Sequence, residues 1–97
     1  FGLPALEAMA CGTPVVATDA GALPEVMAIG GGGVVVPRED PEALAKAVAT
    51  LLEQPELRAE RGARARPRIE RAFAWPRVAA RTAEVYREVV RERRRVA

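Results

Sequence analysis

The sequence of 97 residues contains no histidine, no serine and no asparagine, and it has one cysteine. Without histidine the chain cannot form a Ser–His or Cys–His nucleophile pair, and it offers no histidine ligand to a metal ion. Aromatic residues make up only 4% of the sequence. Alanine, valine and leucine must therefore fill the interior, and a chain of this length forms one small domain or part of a larger one.

The single cysteine, Cys11, excludes a disulfide within the chain and fits a reducing compartment, so we expect a cytoplasmic protein. We predict that Cys11 is a small packed side chain, because it ends an apolar helix. No apolar run approaches the roughly 20 residues that span a bilayer, and the N-terminus lacks the form of a signal peptide. The chain begins at Phe1 in the middle of a motif, which indicates a segment cut from a longer polypeptide.

The net charge of +2 hides an asymmetry between the two parts of the chain. Residues 1–57 carry two basic and eight acidic residues, a net charge of −6, whereas residues 58–97 carry thirteen arginines and five glutamates, a net charge of +8. Interleaving of arginine with glutamate at helical spacing favours a solvated helical face. An anionic-lipid or partner surface is the alternative, and a nucleic-acid surface is disfavoured because no aromatic stacking set accompanies the arginines.

The N-terminal half alternates helices with short β-branched runs. Pro4 suits the first turn of a helix that Gly12 ends, and Val15–Thr18 has the composition of a buried parallel strand. A short helix is predicted from Leu23. The glycines at 30–33 end it and lead into a second fully buried strand, Val34–Val36.

The rest of the chain predicts three helices. Asp40 is the expected N-cap of the first, whose apolar stripe comprises Leu44, Val48, Leu51 and Leu52. Pro55 opens the second, which Pro67 is expected to kink or break. Trp75 and Pro76 open the third. Its predicted buried stripe consists of Val78, Thr82, Val85, Tyr86 and Val89.

This order predicts an α/β fold with a parallel sheet and helical faces, followed by a helical C-terminal third. Two or three short strands make too small a sheet to stand alone. We therefore interpret the chain as the last third of a larger Rossmann-like, doubly wound domain.

The strongest local candidate for a binding site is the start of the first helix. Backbone N–H groups of Phe1, Gly2 and Leu3 would point out of the helix N-terminus, where the macrodipole favours an anion. Glu7 lies one turn further on, where a carboxylate can accept hydrogen bonds from a ribose diol. Plain helix capping explains the same residues, so the pattern alone leaves both interpretations open.

Several segments together resemble the signature of the retaining glycosyltransferases of family 4, and the resemblance covers nearly the whole chain. These segments are Phe1–Pro4, Leu6–Ala10, Gly12–Thr18, Gly21–Val26, Gly33–Pro37, Asp40–Ala45 and Phe73–Trp75.

The resemblance implies a GT-B fold of two Rossmann-like domains, in which residues 1–97 form the C-terminal portion of the domain that binds the nucleotide sugar. It implies that Glu7 is the second of two donor-binding glutamates, the first standing two residues before Phe1. It further places Phe1, Gly2 and Leu3 at the sugar and diphosphate, and Leu6 near the nucleoside.

The resemblance also implies that no tightly bound metal is needed, that a missing N-terminal domain binds the acceptor, and that the isolated chain is inactive. Its relatives further suggest an anionic membrane face as a partner of the basic last helix. Thr18, Gly21 and Glu25 are weaker candidates for the cleft, as is Asp19 at the same sheet edge. We expect Arg38 to be solvated.

Two alternatives to a transferase remain open. One is a non-catalytic nucleotide-binding or protein-interaction module derived from the same fold, and the other is a nucleotide-sugar epimerase. Ala22 and Ala74 depart from the family pattern, since glycine is common at the first position and a capping Ser or Thr at the second. Loss of the cap should cost about 1 kcal/mol.

Overall fold

The computed structural model describes residues 1–96, which form two strands and five helices. In chain order these are α1 (Leu3–Ala10), β1 (Val15–Thr18), α2 (Leu23–Gly30), β2 (Gly33–Val36), α3 (Pro41–Glu53), α4 (Pro55–Phe73) and α5 (Trp75–Val96). The α/β class and the positions of both strands are as the sequence predicted.

The two strands pair in parallel, with Val15 opposite Gly33 and Thr18 opposite Val36. The prediction that both strands are fully buried was wrong, because only Ala17 and Val36 are buried and Val35 is 41% exposed. A sheet of two strands offers the helices little area to cover, so part of it faces solvent.

The hydrophobic core lies where α1, α2 and α4 meet the sheet. Its buried members are Met9, Ala17, Val26, Met27, Ala65 and Ile69. Met9 is fully buried, and a Cβ added to Gly30 would lie 2.6 Å from its sulfur atom. Close contacts around this side chain therefore hold α1 between α2 and α4.

The end of α1 is fixed by a glycine, as the sequence predicted. Gly12 has a φ of 77°, which favours glycine, and its N–H donates to the Met9 carbonyl while Thr13 N–H donates to the Ala8 carbonyl. These bonds form a Schellman motif. A Cβ on Gly62 would overlap the Gly12 carbonyl oxygen, so α4 packs directly against this turn.

Helix α4 is continuous through Pro67, so of the predicted kink or break the break was wrong. Pro67 has no N–H to donate to the Ala63 carbonyl. Both residues are exposed, however, and water can therefore satisfy that carbonyl. Ala65 and Ile69 on the opposite side are buried in the core, and this packing holds the helix on both sides of the proline.

Helix α3 begins as predicted, because the Asp40 carboxylate accepts a hydrogen bond of 3.0 Å from Ala43 N–H. Its C-terminal end is closed by Arg58, whose guanidinium donates to the carbonyls of Leu51 and Leu52. Of the predicted stripe, only Leu51 is buried. Leu44, Val48 and Leu52 are exposed.

Helix α5 differs most from its prediction, since none of its residues is buried. Val78 is half-buried, while Val85, Tyr86 and Val89 are 45%, 69% and 57% exposed. A helix of 22 residues is about 33 Å long, which exceeds the two shorter dimensions of the molecule, 28 and 15 Å. Helix α5 therefore extends beyond the other elements. The stripe is apolar as predicted, but within residues 1–96 nothing covers most of it.

Two further sequence expectations concern single residues and charges. Cys11 is exposed rather than packed, because it caps the C-terminus of α1 at the surface. The interleaved charges form ion pairs along the helices, such as Arg64 with Glu60 at 2.6 Å and Arg66 with Glu70 at 3.2 Å. Among residues 1–96, no helix has both the length and the apolar character required to cross a membrane.

Candidate functional site

The N-terminus of α1 presents backbone N–H groups without a side-chain cap. Gly2 occupies the N-cap position with a φ of 86°, and no side chain among residues 1–96 hydrogen-bonds to the start of the helix. The first helical bond runs from Leu6 N–H to the Gly2 carbonyl, at 3.1 Å. The amides of Leu3 and Ala5 precede this bond and therefore have no acceptor within α1, and Pro4 between them has no N–H. These donors lie at the positive end of the helix dipole.

The side chains at this helix start are open to solvent. Leu3 is 58% exposed and Phe1 is 70% exposed. The Phe1 ring is anchored on one side by Phe73, with the ring centroids 5.9 Å apart and the planes at 84°. A groove beside this aromatic pair is lined on its other side by Arg77 and Arg81 of α5.

Glu7 lies on the same face of α1 as Leu3, since residues four apart in a helix are neighbours. Its side chain is exposed, and within residues 1–96 its carboxylate accepts no hydrogen bond and forms no ion pair. A rise of about 1.5 Å per residue puts it some 6 Å along the axis from Leu3 and about 3 Å from Ala5. Leu6, about 100° around the helix from Glu7, is half-buried and packs against the core.

The loop between β1 and α2 meets the start of α1. A Cβ added to Gly2 would lie 2.6 Å from the Cδ2 atom of Leu23, the first residue of α2. Within this loop Thr18 is half-buried at the end of β1, and Gly21 is exposed with open space around it. The structure therefore brings these two weaker candidates to the same edge as Gly2. Glu25 is exposed in the first turn of α2, a position that also suits helix capping.

Asp19 and Arg38 interact with each other across this edge. The backbone N–H and the Nε–H of Arg38 both donate to Asp19 Oδ1, each at 3.1 Å. Thr18 and Val36 are paired in the sheet, so the ion pair joins the carboxyl ends of the two strands. The Arg38 side chain is 66% exposed, so it is solvated as expected, and it also pairs with Asp19.

Three features of the site were missed from the sequence. The Ala5 amide follows from the first helical bond, which runs from Leu6 N–H to the Gly2 carbonyl. Leu23 and the Arg77 side of the groove depend on contacts between distant elements, and no local sequence signal marks them.

Comparison with known proteins identifies the family to which this arrangement is similar. The model of the family described as glycosyl transferases group 1 matches residues 1–68. The chain is 43% identical over 96 residues to the D-inositol 3-phosphate glycosyltransferase of Streptomyces bingchenggensis, covering 99% of this chain and 21% of that protein. It is 44% identical over 95 residues to the alpha-maltose-1-phosphate synthase of Mycolicibacterium smegmatis, covering 92% of this chain and 24% of that protein.

A solved structure shows the same arrangement of elements. Sucrose-phosphate synthase from Thermosynechococcus elongatus superposes with a TM-score of 0.85 and 37% sequence identity, covering 95% of this chain and 23% of that one. The described architecture is therefore that of a fragment of a GT-B glycosyltransferase. The chain spans between a fifth and a quarter of the length of these relatives.

Proposed function

The chain belongs to the group 1 glycosyl transferases, and from this we propose that it is the C-terminal part of the donor-binding domain of a retaining, family 4 enzyme. The full enzyme transfers a sugar from a nucleotide-sugar donor to an acceptor that another domain binds. Residues 1–97 supply one wall of the donor site.

One observation carries this proposal: α1 combines an uncapped N-terminus with an unpaired carboxylate one turn along the same face. The open amides of Leu3 and Ala5 suit the diphosphate, because a helix N-terminus binds anions through its N–H groups and its dipole. The Glu7 carboxylate suits the ribose diol. Glu7 lies about 6 Å along the helix axis from Leu3 and about 3 Å from Ala5, so one nucleotide can contact the amides and the carboxylate.

The chemical contribution of this wall is electrostatic. As the bond from the sugar to the diphosphate breaks, negative charge grows on the leaving oxygen, and N–H groups fixed nearby stabilise it without reorganising. We therefore propose that the donor needs no tightly bound metal. We also propose that the isolated chain is inactive, because the acceptor site and the first donor-binding glutamate lie outside it. Sugar transfer by the purified 97-residue chain would contradict this.

The test is the KM for the donor in the full-length enzyme. A panel of UDP-, GDP- and ADP-sugars first identifies the donor that the wild type uses, and the KM for that donor is then measured for Glu7→Gln. A hydrogen bond to a charged group contributes about 1.5–3 kcal/mol, so KM for the donor should rise roughly 10- to 100-fold. Glu53→Gln, at an exposed position that ends α3, is the matched control and should leave KM unchanged. Equal KM values for both variants would contradict the proposal. Donor binding without any transfer by the wild type would favour a non-catalytic binding module.

A second proposal concerns α5, which we assign to an anionic membrane surface at the cytoplasmic face. Its exposed apolar side carries Trp75 and Tyr86, two aromatic residues that suit the headgroup region. Seven arginines and three glutamates give the helix a net charge of +4, and Arg81, Arg87 and Arg94 fall at the borders of the apolar side.

Co-sedimentation of the full-length protein with vesicles tests this assignment. Binding is expected to vesicles of phosphatidylcholine with phosphatidylglycerol, and to fall at high salt because the Debye length shortens. Tyr86→Glu should weaken binding, whereas Glu84→Gln on the opposite side of the helix should not. Binding that depends on neither anionic lipid nor salt would contradict the membrane assignment. The apolar side of α5 would then be assigned to contact with another protein surface.

A further inference from the structure

We propose that Leu23 is a positioning residue for the donor, because its Cδ2 methyl group packs against Gly2 and fixes the turn that opens α1. This inference rests on the proposed function, since it concerns the same site. It adds a residue that touches no ligand and acts through Gly2.

A side chain at position 2 would strain the backbone and would meet Leu23. The φ of Gly2, 86°, is a conformation that residues with side chains rarely adopt. The space that a Cβ would take is filled by Leu23 Cδ2, at 2.6 Å. The peptide that follows Gly2 carries the Leu3 amide, so the orientation of that donor depends on the torsions of Gly2 and thus on the methyl group that packs against it.

Leu23 is itself held from two sides. Its N–H donates to the Ala20 carbonyl at 3.1 Å, and its side chain packs against the core cluster that contains Met9 and Val26. The loop before it is tied to β2, because Asp19 accepts both hydrogen bonds from Arg38. A continuous set of contacts therefore runs from the end of β2 through the β1–α2 loop to the start of α1.

The consequence is that truncating Leu23 should misplace the amides without removing any group that binds the donor. A hydrogen bond from an amide to a charged phosphate oxygen contributes roughly 10- to 100-fold in affinity, and a turned amide loses it. For Leu23→Ala we expect the donor Kd of the full-length enzyme to rise roughly 10- to 100-fold, with the same Glu7 still present. Leu23→Met, which refills most of the volume, should bind the donor within about threefold of wild type.

The matched control is Val15→Ala. Val15 is also half-buried and also packs against the core, but it lies in β1 and not against Gly2. Donor Kd by calorimetry and the midpoint of chemical unfolding are measured for each variant. Should Leu23→Ala be unfolded at the assay temperature, Leu23→Val carries the same test with a smaller truncation.

A double mutant separates positioning from general destabilisation. Gly2→Ala should weaken donor binding through both its backbone strain and its clash with Leu23, whereas Gly2→Ala with Leu23→Ala removes the clash and should recover at least threefold of the lost affinity. Contacting residues show such coupling, and independent ones do not. Additive losses would overturn the proposal.

The outcomes distinguish this proposal from the one beneath it. If Glu7→Gln weakens donor binding while Leu23→Ala binds as Val15→Ala does, the donor site stands and the positioning role is wrong. If neither Glu7→Gln nor Leu23→Ala changes the donor Kd, the donor site itself is wrong.

Discussion

Helices α1 and α5 stand at opposite ends of the chain and are built in opposite ways. Helix α1 has only eight residues, yet Met9 in its last turn is fully buried and its N-terminus contacts Leu23 and Phe73 through its neighbours Gly2 and Phe1. Helix α5 has 22 residues and none is buried. The short helix is held by tertiary contacts, and the long one by its own backbone bonds and side-chain pairs.

This difference teaches where a precise site can be built. A ligand that needs fixed amides requires a helix whose end cannot move, and α1 meets that condition because packing surrounds it. Helix α5 instead presents a wide apolar side that suits a surface contact. The start of α3 is a reference within the same chain. There the Asp40 side chain accepts a hydrogen bond from the Ala43 amide, whereas the equivalent amide of α1, that of Ala5, has no side-chain cap.

The largest expected effect is on stability, and it contrasts a buried residue of α1 with an exposed apolar residue of α5. Met9→Ala should lower the free energy of unfolding by about 2–5 kcal/mol, because it removes a fully buried side chain from a close-packed site. Val89→Ala in α5 should change it by no more than about 0.5 kcal/mol. Urea unfolding of the two variants measures the contrast, and similar losses would show that α5 is packed in solution.

The next effect is a gain in stability and concerns α4, which contacts both α1 and α5. Proline in a helix interior is about 3 kcal/mol less favourable than alanine, so Pro67→Ala should stabilise the chain by an amount up to that value. Thermal unfolding followed by circular dichroism measures it. A destabilised variant would mean that the exposed Ala63 carbonyl is not satisfied by water and that the proline ring contributes to packing.

A smaller loss is expected at the reference helix start. Asp40→Ala removes the side chain that caps α3 and should cost about 1 kcal/mol, while Asp40→Asn, which still accepts the Ala43 N–H, should cost much less. Neither should alter donor affinity, because the capped end of α3 is not the proposed site. An effect of Asp40→Asn on donor binding would contradict the claim that the start of α1 binds the donor and the start of α3 does not.

The smallest effect concerns the ion pairs of α5. Glu84→Gln breaks the 2.9 Å pair with Arg81, which lies on the exposed surface at helical spacing. Such a pair contributes about 0.2–0.5 kcal/mol at low salt, and less as salt screens it. Unfolding in low and high salt checks this. A loss above about 1 kcal/mol that salt does not reduce would indicate a partly buried network.

The sequence was informative wherever a local rule decides the structure. The strand β1, the end of α1 at Gly12 and the cap at Asp40 depend on residue type and spacing within a few positions, and all three were predicted. The open helix start at Gly2 follows from the same local rules. Its interpretation as a donor site came from the resemblance to a family.

The sequence failed where burial depends on distant elements. The stripe around Tyr86 has the pattern of a buried helix, but periodicity shows only which residues share a face and not whether anything covers it. Cys11 was assigned to the interior by residue type and is exposed. The contact of Leu23 with Gly2 joins two residues 21 positions apart, and no local pattern marks such a pair.

The measurement that tests the donor site most directly is a titration of the full-length enzyme, ¹⁵N-labelled at leucine and alanine, with UDP, GDP and ADP, followed by amide chemical shifts. For the nucleotide of the natural donor, we predict that the Leu3 and Ala5 amides shift most and that the α5 amides do not move. The Glu7→Gln enzyme should show the same pattern at a higher ligand concentration. Shifts confined to α5, or none at the start of α1 with any of the three nucleotides, would contradict the assignment of this helix end to the donor.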